Sequence, residues 1–555
     1  MRRFTLTMAV VLLAVAGYSQ QPSATGQSLS EVQKAQYVKQ LGLKPTSLTL
    51  PKQAATNRLA SQLRKAAQGT PITEQPEGTL YKNLYTYAKG FTSMWGMIYE
   101  DQVDGATKDL VVAADGTCYI KNPISFMATD SWIKGKKTVG DTIAVELPQA
   151  IYVMDNGDGN TVNYFAYKMK YEQIDGENQY VVDDASQTVK FVWRNDSLVK
   201  ADNTSLIGMG NPNGVWNGLG DLEMSATVCP FTNEAPSANA TVNKYVVSYH
   251  PSSSSTHQRI MSAAFDGDNV FIKGLDTSLP DAWIKGKRDG NQIVFPGAQF
   301  LGLDTVRSNY KFCIPGVERW NDEEYYSELV SLPNATFTYD EATQSFTTKD
   351  GFVTNYGYRA FQESFSVIGQ PAFNLWNEIV AAPQNPRIIQ YSPATTSTGY
   401  LIFAADNYNV EGAFMDPDKT FYNIYFDDEL VTFAPDQYVG LTEEMTDVPI
   451  NFDETTHYDI QTYGNQHRLN IYDIGFERIG VQVIYKDGDK RLTSDIVYYP
   501  ESTGIDNGIT SNNAAKHVYY VDLSGRKVAQ PAHGMYIKTM KMDDGSVKSV
   551  KVIVK

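Results

Sequence analysis

The densest group of side chains that could do chemistry lies between residues 320 and 328. It places carboxylates beside aromatic rings, a mixture suited to sugars, because carboxylates accept hydrogen bonds from hydroxyls and aromatic faces stack on the ring. A glycoside hydrolase needs two carboxylates about 5–10 Å apart across the scissile bond. The same side chains also suit a solvated loop. The candidate binding residues are Trp320, Glu323, Glu324, Tyr325 and Tyr326, and Asp322 and Glu328 belong to the same cluster.

The sequence contains none of the common catalytic motifs. Its six histidines form no HExxH motif, and no GxSxG elbow, GxGxxG fingerprint or phosphate-binding GxxxxGK[ST] loop occurs. Residues 155–160 resemble a calcium loop, but Gly157 stands where an EF-hand needs a liganding side chain. We interpret that run as a hairpin turn. We therefore predict no catalytic residue, cofactor or metal site, and an enzyme is the less favoured interpretation.

Composition excludes several classes of protein. The net charge of −16 provides no basic footprint for nucleic acid. The three cysteines, Cys118, Cys229 and Cys313, are too few for a disulfide scaffold and have no CxxC spacing. We expect them to be small buried side chains, free or with one pair. Aromatic residues make up 12% of the 555 residues, which favours strands.

A repeated string indicates an internal duplication. WIKGK occurs at Trp132 and again at Trp283, within the related stretches 118–152 and 270–302. Self-similarity at a long offset predicts a duplicated structural unit. Alternation along a strand would bury each tryptophan in a core, and the competing interpretation makes both rings stacking platforms for a ligand.

The elements around this string are predicted to be antiparallel strands. Asp-Gly and Asn-Gly turns separate short apolar runs from residue 80 onward, and such turns favour hairpins. We predict an all-β chain with two duplicated antiparallel β-meander domains at 80–235 and 240–378. Each is expected to close into a barrel or fold into a sandwich, because a meander otherwise leaves unpaired edges.

Further β domains are predicted after the duplication. Residues 383–501 contain about seven candidate strands, as in a fibronectin type III-like or immunoglobulin-like sandwich. Residues 502–516 have the composition of a linker, and 517–555 predict a small C-terminal β domain.

The N-terminus has the pattern of a secretory signal peptide at residues 1–19. Arg2 and Arg3 precede an apolar run, and small residues follow it before Gln20. No later stretch is apolar and long enough to be a transmembrane segment. Residues 20–79 are predicted to be a leader with short helices, the first of them stopping at Gly42.

The C-terminal residues resemble a known export signal. The block 522–528 (DLSGRKV), the block 534–537 (GMYI) and the ending 551–555 (KVIVK) are similar to the C-terminal sorting domain of the type IX secretion system of Bacteroidetes. The resemblance implies contact of residues 517–555 with that export machinery, and a location outside the outer membrane, secreted or on the cell surface.

The remainder resembles secreted multi-domain β-repeat proteins of Bacteroidales that have no assigned activity. The segments that carry this resemblance are 119–123 (YIKNP), 279–286 (LPDAWIKG) and 442–449 (TEEMTDVP). We favour an exported, non-enzymatic protein that binds glycan or a host or surface protein through loops of its β domains. A structural component of a surface layer or fibre is one alternative, and a glycan-active hydrolase with acids near 322–328 is another.

Overall fold

Antiparallel strands make up nearly all of the regular secondary structure of the described residues, so the all-β prediction is confirmed. The computed structural model describes residues 34–35, 38–39, 41–51, 66–155, 161–252, 255–321, 326–358, 364–394, 398–454, 456–500, 515–521, 526–528, 534–542 and 547–554. The chain divides into two compact units, Met1–Asn377 and Glu378–Lys555.

The first repeat is a closed barrel of eight strands with a further sheet attached. Its strands, with one that precedes them, are β1 (Lys44–Pro45), β2 (Thr79–Met94), β3 (Met97–Val112), β4 (Thr117–Lys121), β5 (Trp132–Lys137), β6 (Thr142–Glu146), β7 (Gln149–Asp155), β8 (Thr161–Ile174), β9 (Glu177–Val182), β10 (Thr188–Arg194), β11 (Ser197–Lys200), β12 (Leu206–Gly210) and β13 (Trp216–Thr227). Pairing runs β2–β3–β4–β5–β6–β10–β11–β13 and returns to β2. The other strands, β7, β8, β9 and β12, form a side sheet that joins the barrel through β13.

The second repeat has the same topology, strand for strand. Its strands are β14 (Thr241–Ser252), β15 (Ser255–Asp266), β16 (Asn269–Lys273), β17 (Trp283–Asp289), β18 (Gln292–Pro296), β19 (Gln299–Asp304), β20 (Asn309–Asn321), β21 (Tyr326–Ser331), β22 (Asn334–Asp340), β23 (Ser345–Thr347), β24 (Gly351–Tyr356) and β25 (Ser364–Leu375). Pairing runs β14–β15–β16–β17–β18–β22–β23–β25 and returns to β14. Strands β19, β20, β21 and β24 form its side sheet. The two repeats therefore match over twelve consecutive strands.

Individual side chains repeat as well. The Gln149 side chain accepts from the backbone N–H of Lys134 and donates to its carbonyl, both at 2.7 Å. Gln299 makes the same two bonds to Lys285, at 2.6 and 2.9 Å. Because Lys134 and Lys285 are the same letter of the repeated string, the two glutamines clamp equivalent strands. The duplication thus extends from the topology to individual hydrogen bonds.

An aromatic joint connects the two barrels. Tyr85 of β2 packs against Tyr310 and Phe312 of β20, and Phe231 from the segment between the repeats packs in the same cluster. Buried Asp104 accepts from the Tyr85 hydroxyl at 2.8 Å and from the Tyr358 N–H at 2.9 Å. Residues of both repeats therefore share one core and one buried carboxylate.

The second unit contains a two-sheet β-sandwich. Its strands are β26 (Arg387–Ser392), β27 (Gly399–Ala404), β28 (Thr420–Phe426), β29 (Glu429–Leu430), β30 (Val448–Pro449), β31 (Ile460–Tyr463), β32 (Gln466–Ile471), β33 (Ile479–Asp487), β34 (Lys490–Thr493) and β35 (Val497–Tyr499), with a 3-10 helix at Pro417–Lys419. One sheet has the order β26–β27–β32–β31, and the other has β29–β28–β33–β34 with β30 on β28 and β35 on β33. A buried apolar cluster that includes Leu401, Ile424 and Val481 fills the space between them.

A histidine lies inside this sandwich core. His467 is 1% exposed, and its ring stacks on Phe403 at 4.8 Å between centroids. Its Nδ1 lies 3.3 Å from the Thr462 hydroxyl, whereas its Nε2 has no hydrogen-bond partner among the described residues. Burial lowers the pKa of His467 to about 4. The neutral ring is thus the form that the fold accommodates.

Mild acid is expected to weaken the sandwich. The unfolded chain takes up a proton on His467 below about pH 6.5, whereas the folded chain does so only near pH 4. The contribution of neutral His467 to the free energy of unfolding is therefore fully present above about pH 6.5. It falls as the pH drops toward 4, by about 2 kcal/mol between pH 7 and pH 5. Hydrogen exchange of residues 460–471 at both pH values measures this loss. His467→Phe should flatten the pH dependence, and exposed His457→Phe should not. Equal pH dependence of both variants would contradict the assignment.

Both ends of the chain are described in part. The tail forms β36 (Ala515–Val521), β37 (Lys527–Val528), β38 (Gly534–Met542) and β39 (Val547–Val554), paired in the order β37–β36–β38–β39. The helical leader is not confirmed, since most of it lies outside the described residues. Gly42, where the first helix of the leader is predicted to stop, lies within the described residues. Gly42 has φ +66°, and the Leu43 N–H donates to the Val38 carbonyl at 3.1 Å. Among the described residues, no helix has the length and apolarity to cross a membrane.

Candidate functional site

A small polar cleft lies between the two repeats. Its volume is about 190 Å³, below the range of roughly 300–1,000 Å³ typical of sites for drug-sized ligands. The first repeat lines it with Lys82, Asn83, Thr107, Asp109, Lys121 and Asn122, and the second with Leu303, Thr305 and Ser308. A cleft of this size holds one sugar ring or one small polar group.

Backbone contacts between the repeats fix the walls of the cleft. The Tyr310 hydroxyl donates to the Asn83 carbonyl at 2.6 Å, and Thr107 N–H donates to the Ser308 carbonyl at 3.0 Å. Asn309 at the start of β20 pairs with Ala106 of β3. The cleft is therefore preformed, because its two walls are hydrogen-bonded to each other.

Three of the nine lining residues have a backbone conformation that is unusual for L-amino acids. Asn83, Asn122 and Ser308 have φ of 56°, 51° and 53°. Each such residue stores strain of order 1 kcal/mol, and strain of this kind concentrates at functional sites. Asp109 supports one of them, since its carboxylate accepts from Asn83 N–H at 2.7 Å.

A buried lysine supports the loop that forms the floor of the cleft. Lys108 of β3 is 1% exposed and donates to the Asn122 carbonyl. Burial lowers the pKa of Lys108 to about 8, against the opposing charge of Asp221. At the rim, Lys121 pairs with Asp130 at 3.0 Å, and the Asn122 side chain accepts from Asp130 N–H at 2.9 Å. These contacts thus hold in place the loop that carries the lining residues Lys121 and Asn122.

The second repeat braces the equivalent loop differently. Lys273 and Asp281, at the positions of Lys121 and Asp130, pair at 3.1 Å. Beneath them, Lys311 of β20 pairs with Asp276 at 2.6 Å, and both side chains are buried. The rim pair is therefore duplicated, whereas the buried lysine comes from a different strand in each repeat.

The chemistry that the cleft offers is binding. Lys82 and Lys121 supply ammonium donors, Thr305 and Ser308 supply hydroxyls, and Asn83 and Asn122 supply amides. Asp109 is the single carboxylate in the lining, whereas glycoside hydrolysis uses a pair. Within the described ranges, no group of three histidine, cysteine or acidic side chains could hold a metal ion.

The site predicted from the sequence is described only at its borders. Trp320 and Tyr326 lie on β20 and β21, where their backbones pair with Ser327 and Asn321. Glu323, Glu324 and Tyr325 lie outside the described residues. Sugar contact or catalysis by this cluster therefore stays a prediction.

The two repeated tryptophans occupy equivalent positions with different exposure. Trp132 pairs with Lys121, as Trp283 pairs with Lys273. Trp132 is 2% exposed, which leaves no face for a ligand. Trp283 is half-buried, with the Lys273 ammonium 5.3 Å from its ring centroid. The core interpretation holds for Trp132.

Sequence reasoning missed the residues of the cleft. They come from two stretches about 200 positions apart in the chain and form no motif. One feature of the sequence pointed to this region: Lys121 and Asp130 have exact counterparts in the second repeat, Lys273 and Asp281.

No protein-family model matches this chain, and neither a curated protein nor a solved structure matches it. The function is therefore argued from the geometry of the cleft.

Proposed function

We propose that this chain is an exported, non-catalytic binding protein that holds a glycan in the cleft between its two repeats. One observation carries the proposal: ammonium, amide and hydroxyl groups converge on a cleft whose walls are hydrogen-bonded together. Polar groups placed in advance bind hydroxyl-rich ligands because little ordering remains to be done on binding.

The size of the cleft indicates how such a ligand binds. One ring fills about 190 Å³, and the rest of a longer glycan stays in solvent or reaches neighbouring loops. The lining contains no aromatic ring, so recognition there depends on hydrogen bonds and charge. Lys121 is already paired with Asp130 at 3.0 Å, which leaves the Lys82 ammonium to bind an acidic group of the glycan.

Export is part of the proposal and has separate support. The signal-peptide pattern at residues 1–19 and the sorting-like blocks at 517–555 both favour a location outside the cell. A protein ligand is the alternative within the same class. A glycan-active hydrolase with acids near 322–328 is the other alternative, and Glu323 and Glu324 of that cluster lie outside the described residues.

Reversing one charge at the cleft is expected to weaken glycan binding. Lys82 is exposed, so Lys82→Glu should leave the fold intact. It replaces a donor to the ligand with a repelling carboxylate and should weaken binding about tenfold, the worth of one charge-assisted hydrogen bond. An array of neutral and acidic glycans identifies the ligand, and calorimetry of both proteins measures the change.

Lys190→Glu is the matched control. Lys190 is also an exposed strand lysine of the first repeat, but it lies on β10 and does not line the cleft. Its substitution should leave affinity unchanged. Absence of glycan binding above background, or equal affinity of the Lys82→Glu and Lys190→Glu proteins, would contradict the proposal.

A further inference from the structure

The side sheet of the first repeat belongs to an open half-barrel. Pairing continues from β8 through β12, β13 and β2 to β3, so β3 forms one outer edge, and β7 and β9, which lie end to end along β8, form the other. Its concave face is an apolar bowl made of Phe91, Ile98, Phe165, Tyr167, Tyr180, Leu206 and Trp216. Such a surface needs a cover, because exposed apolar area and free edges promote association.

Residues 43–50 close this half-barrel by contacting both edges. On one side Lys44 and Pro45 pair with β3, and Thr46 N–H donates to the Ile98 carbonyl at 3.1 Å. On the other side Leu48 bridges to Asn178 of β9 in parallel, and Thr49 N–H donates to the Asn178 carbonyl at 2.8 Å. The segment thus acts as the missing strand.

Two leucines of the segment cover the bowl. Leu48 and Leu50 pack against its apolar side chains, and Ala67, on the far side of residues 52–65, packs there too. Ala67 N–H donates to the Pro212 carbonyl at 2.8 Å. Leu50 and Ala67 therefore lie at the same bowl, although the fourteen residues 52–65 between them can alone span roughly 45 Å when extended.

The second repeat covers its equivalent face in another way. Phe312 corresponds to Phe165, because each pairs with the residue after the clamping glutamine of its own repeat. Phe312 is covered by Tyr85 of the first barrel and by Phe231. In the described part of the chain, an N-terminal segment thus covers this apolar face in the first repeat and not in the second.

We propose that residues 43–50 are a complementing segment that one copy of this chain can insert into the half-barrel of a second copy. The contacts in an exchanged pair are the same as those within one copy, so exchange loses no interaction, and the long connection permits it. If each copy inserted its segment into the next copy, the result would be a linear assembly of many subunits. This inference does not depend on the proposed glycan site.

Cleavage and peptide exchange test the proposal. A specific protease site placed within residues 53–63 of the full chain separates the segment from its half-barrel. After cleavage, the segment should remain bound during size-exclusion chromatography. A labelled peptide of residues 38–51 in excess should then replace it with one-to-one stoichiometry. Failure of the peptide to bind the cleaved protein would overturn the proposal.

The matched controls are a substituted peptide and a full-length chain that carries the same substitutions. Leu48→Asp with Leu50→Asp places two carboxylates in the apolar bowl, so this peptide should bind at least about tenfold more weakly. The uncleaved chain should form dimers and larger species as its concentration rises, as measured by mass photometry. The chain with both substitutions should form fewer of the species that excess peptide 38–51 dissociates. Equal self-association of the two chains would overturn the exchange between copies.

Discussion

Replacing Lys311 with methionine is expected to destabilise the second repeat by about 3–5 kcal/mol, the usual cost of leaving a buried charge without its partner. The Lys311 ammonium lies 2.6 Å from the Asp276 carboxylate and 2.9 Å from the Ser278 hydroxyl. The two charged side chains are 5% and 2% exposed. Methionine keeps the volume and removes the charge, so the buried Asp276 carboxylate would lose its cation.

The ionisation of Asp276 gives this prediction a pH signature. Burial alone would raise the pKa of Asp276, but hydrogen bonds from Lys311 and Ser278 and the charge of Lys311 outweigh burial and hold the pKa below its usual value. The stability that the pair contributes is therefore present at neutral pH and lost as the pH falls through the lowered pKa. The difference between Lys311→Met and the natural chain should shrink in acid, because Asp276 is then protonated in the variant.

Urea denaturation followed by hydrogen exchange of β16 and β20 measures the effect. The double variant Lys311→Met, Asp276→Leu should recover much of the loss, because an apolar pair of similar volume carries no desolvation penalty. Lys285→Met is the surface control: Lys285 pairs with exposed Glu234, and loss of such a pair should cost less than about 1 kcal/mol. A loss below 1 kcal/mol for Lys311→Met, or no recovery in the double variant, would contradict the assignment.

Asp104→Ala is expected to destabilise the joint between the barrels by about 3 kcal/mol. Asp104 is fully buried and accepts from the Tyr85 hydroxyl and the Tyr358 N–H. Alanine leaves the buried Tyr85 hydroxyl and the part-buried Tyr358 N–H without this acceptor, and a buried unsatisfied donor costs roughly 1–3 kcal/mol. The backbone is tightly packed there, since a Cβ on Gly357 would lie 2.3 Å from the Asp104 carbonyl oxygen. Neighbouring groups should therefore not move in to fill the space that the Asp104 carboxylate leaves.

Loss of the joint should separate the unfolding of the two barrels. In the natural chain the aromatic cluster of Tyr85, Phe231, Tyr310 and Phe312 couples them. In Asp104→Ala, hydrogen exchange in urea should show β3 and β20 opening at different urea concentrations. Tyr85→Phe removes one donor only and should cost about 1 kcal/mol. Asp115→Ala changes an exposed turn of the first barrel and serves as the control for aspartate loss. Coincident unfolding of the barrels in Asp104→Ala would argue against the joint.

Several features of the fold could be predicted from local sequence. The two WIKGK strings predicted the duplication, and the structure extends it to twelve paired strands. Asp115-Gly116 and Asp266-Gly267 predicted hairpins, and both glycines have positive φ, at 80° and 61°. These predictions succeed because turn chemistry and side-chain alternation act over a few residues. The helical leader is not confirmed, and the acidic–aromatic cluster at 320–328 has not been tested.

The sequence by itself determined the strand type, the turns and the internal repeat of this protein, because each is set by neighbours along the chain or by direct self-similarity. Only the tertiary structure decided the joint at Asp104, the cleft beside Asn83 and Ser308, and the closing of the first half-barrel by residues 43–50. Each of these joins elements that are 50 to more than 200 positions apart. Contacts over such separations depend on how finished sheets pack together, which the local periodicity of a single sequence does not contain.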